Sequence, residues 1–135
     1  NDYKILLFGG GLEESEQLTK LASKYENVFS TAGKFSLEEE LDIISKLKVM
    51  LSMDSSNGHI AAMLGLNVVT LWGVTHPLAG FAPFNQKAAN NLLADRRKYP
   101  KIPTSIYGKY FPKGYELAIQ TIQPDAVVKA VKNNL

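Results

Sequence analysis

The 135 residues contain no cysteine, which excludes disulfides and thiolate metal sites from them. A chain without thiols tolerates either redox compartment, so this absence assigns none. Charge of one sign is scarce: 15 basic residues stand against 13 acidic ones, a net charge of +2. That balance leaves no electrostatic footprint for nucleic acid. No apolar run approaches the roughly 20 residues that span a bilayer. The opening Asn1-Asp2-Tyr3-Lys4 does not have the layout of a signal peptide. An initiating methionine is also missing, so we expect a chain cut or processed from something longer. There is no internal repeat and no low-complexity linker. What remains is an ordinary globular composition, 45% hydrophobic and 21% charged. The length suits a single domain, 1–135, with a substantial core.

Apolar runs and helical patterns alternate along the chain. Tyr3 to Phe8 reads as a buried strand, closed by Gly9-Gly10-Gly11. Leu12 to Tyr25 places Leu18, Leu21, Ala22 and Tyr25 at helical spacing. Val28-Phe29 is a short strand candidate. Ser36 and Glu39 form the pattern of a capping box, which opens a helix with Leu41, Ile44 and Leu47 on one face. Lys48 to Met53 and Asn67 to Trp72 are strands, with a short helix between Asn57 and Leu64. Continuous apolar strands alternating with helices predict an α/β fold, a Rossmann-like three-layer α/β/α arrangement around a parallel sheet. Beyond Pro77 the pattern degrades. Asn91 to Leu93 suits one more strand, and Arg96 to Tyr115 is basic and aromatic without a clear period. Pro124 at N1 and Asp125 in the first turn open a last helix with Val127, Val128 and Val131 as its apolar face.

Polar and small residues follow two consecutive strands. The first group is Asp54-Ser55-Ser56-Asn57-Gly58-His59 and the second is Gly73-Val74-Thr75-His76-Pro77. Open α/β sheets bind ligands at such strand ends. The helix behind the first turn would aim unpaired N–H groups and a positive dipole end at an anion such as phosphate.

Four blocks, in order, resemble the C-terminal half of glycosyltransferase family 9, the heptosyltransferase family. They are Phe8 to Glu16, Gly33-Lys34-Phe35-Ser36-Leu37-Glu38-Glu39, Asp54 to Ala62, and Leu71-Trp72-Gly73-Val74-Thr75-His76-Pro77. The second is similar to the family's Gly-Lys-x-Ser-Leu-Glu-Glu. The third is similar to Asp-Ser/Thr-Gly-x-x-His-x-Ala-Ala, except that Ser56 stands where the family has glycine. The resemblance covers roughly half of the chain and, at its end, Ile122 to Val127. It implies one half of a GT-B enzyme, the donor-binding domain, with the acceptor domain and its general base outside this chain. It further implies inverting transfer of a sugar, expected to be heptose, from an ADP-sugar to a lipopolysaccharide core or related glycan. No cofactor or metal is expected, and the setting implied is the cytoplasm, peripheral at the inner membrane.

On this resemblance the diphosphate would lie over the N–H groups of Ser55, Ser56 and Asn57, with the Ser55 hydroxyl donating to it. Asp54, acceptor-only when ionised, suits sugar hydroxyls. Glu13 would take ribose or sugar hydroxyls, and Gly9 and Gly10 would let backbone approach the nucleotide. Thr75 and His76 would reach the donor sugar. His59 is a further ligand candidate.

Each of these residues also has a structural reading. Asp54 can cap the following helix, and Glu13 can serve as a first-turn acid. Gly9 to Gly11 can be a plain turn, His59 can bond a loop carbonyl, and His76 can shape a loop. Arg96 to Tyr115 fits either an anionic lipid acceptor at a membrane surface or a solvated loop whose tyrosines pack inward. Two other functions share the fold. One is a non-catalytic nucleotide-sugar binding module. The other is a receiver-like domain with Asp54 as phospho-acceptor, which would need acidic residues where Gly9-Gly10-Gly11 stand.

Overall fold

A computed structural model describes residues 3–79 and 81–135. Asn1 and Asp2, the start of the opening segment read above, lie outside the described residues. The chain divides into two compact units, Asn1–Ile43 and Ile44–Leu135.

In the first unit, β1 (Ile5–Leu7) pairs in parallel with β2 (Val28–Ser30), Ile5 opposite Val28. Between them runs α1 (Leu12–Ala22). The helix is shorter than its apolar spacing predicts. Lys24 N–H donates to the Leu21 carbonyl and Tyr25 N–H to that of Ala22, so the chain tightens into i→i−3 turns before Tyr25. At the other end α2 (Leu37–Ser45) opens as expected. Ser36 N–H donates to Glu39 Oε2 at 2.8 Å, and Glu39 N–H donates back to Ser36 Oγ at 3.3 Å. The Glu39 carboxyl is held below its usual value, first by the Ser36 backbone N–H and then by its hydroxyl.

The second unit holds three parallel strands in the order β3 (Val49–Met53), β4 (Asn67–Trp72), β5 (Asn91–Leu93). Val49 faces Asn67 and Thr70 faces Asn91. The central strand carries the core: Val68, Val69, Thr70 and Trp72 are fully buried. Trp72 Nε1 donates to Asn91 Oδ1 at 2.8 Å and ties β4 to β5. The Gln86 side chain accepts from Val68 N–H and donates to the Leu66 carbonyl, which anchors the connection to the start of β4.

Helix α3 (Ser56–Met63) joins β3 to β4. It ends because Gly65 takes a left-handed conformation, φ 84°. Leu66 N–H then reaches the Ala61 carbonyl and Gly65 N–H that of Ala62, which satisfies the last orphan acceptors. Gly58 packs α3 onto the sheet. A Cβ there would lie 2.8 Å from Ser52 Oγ and 3.1 Å from Ser52 Cβ.

The final helix α4 (Pro124–Lys132) starts at its proline, as expected. Its apolar face is corrected in one place: Val127 and Val131 are half-buried, but Val128 is half-exposed and Ala130 takes the buried position. The aperiodic stretch before it builds a second small core from Ala94, Tyr99, Ile102 and Ala118, with Val74 and Tyr115 packed against it. A 3-10 helix, Tyr115–Thr121, follows this stretch without a periodic signal in the sequence. Parallel strands with flanking helices make this an α/β fold of the expected Rossmann-like kind.

Candidate functional site

The Asp54 turn leaves β3 at its carboxyl end and enters α3 at once. Ser55 is the N-cap, with extended backbone (φ −143°, ψ 159°). No side chain caps the helix, so the capping reading of Asp54 does not hold here. The N–H groups of the first turn therefore have no side-chain acceptor. Ser56 sits in ordinary helical backbone. Asn85 is the only non-glycine at positive φ among the described residues. The serine that replaces the family's glycine thus carries no backbone strain.

The Ser55 hydroxyl is already engaged. Ser52 Oγ donates to the Met53 carbonyl, so the 3.0 Å pair between Ser52 and Ser55 has Ser55 as its donor. A ligand that uses the Ser55 hydroxyl must turn it away from Ser52. His59 is half-buried one turn on, without a hydrogen bond among the described residues.

A cavity of about 340 Å³ opens beside the turn. Met53, Asp54 and Leu71 bring the strand ends to it, and Gly73, Val74 and Thr75 form its next wall. Asp54 and Thr75 are therefore brought together, as the sequence pattern suggested. Thr75 is only 8% exposed, and its hydroxyl has no hydrogen-bond partner among the described residues. Its methyl abuts Gly108: a Cβ on Gly108, which has φ +64°, would lie 2.8 Å from it.

His76 does not line this cavity. Its ring is buried, and Nδ1 accepts from Leu78 N–H at 3.2 Å. Burial lowers its pKa, and the Arg96 charge adds to that, so the ring stays neutral. The bond to Leu78 is the loop-shaping role read from the adjacent proline.

The far wall of the cavity comes mostly from the stretch read above as a lipid-acceptor surface or a solvated loop, and not as part of the donor site. Tyr107, Gly108, Phe111, Tyr115 and Glu116 come from the aperiodic stretch and the 3-10 helix that follows it. Tyr99 and Tyr115 meet edge to face at 5.0 Å, so part of the basic-aromatic stretch packs inward. Tyr107 and Tyr110 stay exposed. The only signal in sequence is Gly108 among aromatics, which marks a close approach without saying to what.

Gly9, Gly10 and Glu13 belong to the first unit. A Cβ on Gly9 would lie 2.6 Å from Leu18 Cδ1 and 2.9 Å from Glu14 Cδ, so this glycine lies close against the side chains of α1. Gly10 N–H donates to Glu14 Oε2 at 2.9 Å. Gly10 has open space around it, and Glu13 is exposed. Among the described residues no three His, Asp or Glu side chains are grouped to hold a metal.

Residues 1–110 match glycosyltransferase family 9 (heptosyltransferase). The chain belongs to this family. Its fold is similar to a crystal structure of the glycosyl transferase family 9 from Veillonella parvula DSM 2008. The TM-score is 0.67 at 20% identity, covering 97% of this chain and 36% of that one. Comparison with curated proteins gives no match. The family assignment sets aside the receiver-like alternative. No described helix is long and apolar enough to cross a membrane.

Proposed function

We propose that these 135 residues form the donor-binding half of a family 9 glycosyltransferase, moving a sugar from a nucleoside diphosphate to a glycan acceptor. The observation that carries this reading is the Asp54 turn. It presents an uncapped helix N-terminus at a strand's carboxyl end, directly beside a cavity lined by Asp54 and Thr75.

In this reading the diphosphate lies over the N–H groups of Ser55, Ser56 and Asn57, where the dipole of α3 favours negative charge. Stabilising the leaving diphosphate is the largest contribution such a half can make. Asp54 accepts from sugar hydroxyls, and Thr75 offers its unpaired hydroxyl. His59 stands within the same helical turn, and His76 fixes the loop that carries Thr75. The acceptor hydroxyl attacks the anomeric carbon, the bond to the diphosphate breaks, and a base takes the acceptor proton. That base belongs to the acceptor domain, outside these residues. The anomeric centre inverts in a single displacement, and no metal is invoked. Gly9, Gly10 and Glu13, read within the first unit alone, serve the nucleoside.

The finer assignment is an ADP-linked heptose and a lipopolysaccharide core acceptor, with work at the cytoplasmic face of the inner membrane. The exposed Tyr110 and neighbouring lysines of the basic-aromatic stretch support a lipid-facing surface. Neutralising three of the charges between Arg96 and Lys113 checks it, by loss of binding to anionic vesicles.

Calorimetric titration with ADP, UDP and GDP tests the donor seat. ADP should bind best. Ser55→Ala should weaken it, and Asp54→Ala should weaken an ADP-sugar more than ADP. Binding to none of the three nucleotides would overturn the proposal.

A further inference from the structure

The cavity beside Asp54 has a composition that its position in the family does not explain. Two carboxylates line it, Asp54 and Glu116, and no Lys, Arg or His is among its lining residues. Its remaining walls are largely aromatic and aliphatic, with Tyr107, Phe111, Tyr115 and Ile119 among them. Phe111, Tyr115, Glu116 and Ile119 lie beyond residue 110, where the family match ends. Thr75, only 8% exposed as a residue, lines the same space.

These groups select a ligand class. A carboxylate accepts hydrogen bonds and offers none when ionised. Two of them around one cavity, without a cation, repel an anion and suit a neutral ligand rich in hydroxyl donors. Aromatic walls pack on the C–H face of such a ring and fix its orientation. A volume of about 340 Å³ is at the small end of ligand sites. Gly108 lets this wall approach Val74 and Thr75 closely: a Cβ there would lie 2.8 Å from Thr75 Cγ2 and 3.3 Å from Val74 Cγ2.

We propose that the segment carrying Tyr107, Tyr115 and Glu116 is a specificity wall for a neutral pyranose, with Glu116 the residue that rejects acidic sugars. The inference deepens the donor-site reading and rests on it for what is transferred. Its recognition chemistry can be tested on the sugar alone.

The probes are methyl α-glucopyranoside and methyl α-glucopyranosiduronate, which differ only in the oxidation of C6. Both are titrated into the 135-residue chain while the ring signals of Tyr107 and Tyr115 are followed by NMR. Tyr107→Phe and Tyr115→Phe identify those signals. The neutral glycoside should shift both rings, and the uronate should bind about tenfold more weakly, as like-charge repulsion demands. Glu116→Lys should reverse that order. Glu116 is exposed, so the fold should survive. Glu116→Gln, which should narrow the preference without reversing it, is a second variant if the first misfolds. Equal binding of the two glycosides, no ring shift with either, or an unchanged preference in both variants would overturn the proposal. A selective glycoside response in a chain that ignores ADP would sustain this wall while removing the donor-site reading.

Discussion

His76 shows how one buried ring sets a pH dependence. Its Nδ1 accepts the Leu78 N–H, so this nitrogen must stay unprotonated for the loop to hold. Burial, then the Arg96 charge, lowers its pKa from 6.5. The unfolded chain therefore binds a proton more readily than the folded one. The stability this provides is complete above about pH 6.5 and declines as pH falls through the lowered folded value. The thermal midpoint should decline from pH 7 to pH 5.5 in the wild type, and the decline should be smaller in His76→Asn, whose Oδ1 stands in the place of Nδ1 and can accept the same bond. An equal decline in both proteins would mean that another group controls the acid limb. The same ring illustrates what a sequence conceals: His76 before Pro77 marks a loop, but only the fold shows that its nitrogen is taken by Leu78 and withheld from the cavity.

Among the elements, the capping box at Ser36, the proline start of α4 and strand β4 were readable from sequence, because each is written in local chemistry. β4 matches its apolar run from Asn67 to Trp72 residue for residue. Helix α1 came out shorter than its periodicity, since i→i−3 bonding at its end is invisible in spacing. The contribution of Tyr107 to Glu116 to the cavity was unreadable, because that wall is assembled by tertiary packing around Tyr99 and Ala118 and not by any period. Gly58 lies between these cases. It was visible inside the Asp54 motif, but its reason is the approach of α3 to β3. Gly58→Ala places a methyl 2.8 Å from Ser52 Oγ and 3.1 Å from Ser52 Cβ. Denaturant unfolding should show a loss of about 1–3 kcal/mol. Removing the obstructing side chain with Ser52→Gly should make the two changes less costly together than their sum. Strict additivity would show that the crowding is relieved elsewhere.

For the whole molecule, the two units differ in how much apolar surface they cover by themselves. In the second, Val68, Val69, Thr70 and Trp72 are each at most 1% exposed, and the strand that carries them is paired on both edges. In the first, the sheet has two strands of three residues each. Ile5 is 49% exposed, Phe29 44%, and α1 buries no residue fully. An isolated two-stranded sheet is marginal in water, and a unit of 43 residues is near the lower limit for independent folding. Opening free energies should therefore be graded along the chain rather than uniform. Native-state hydrogen exchange is the direct measurement. Amides of β4 should exchange near the global unfolding limit, while those of β1 and β2 should exchange through a lower-energy opening. Added ADP should slow exchange in the first turn of α3 if the diphosphate sits there. Equal protection of β2 and β4 without ligand would show that the chain unfolds as one cooperative body, and the division at Ile43 would then have no energetic counterpart.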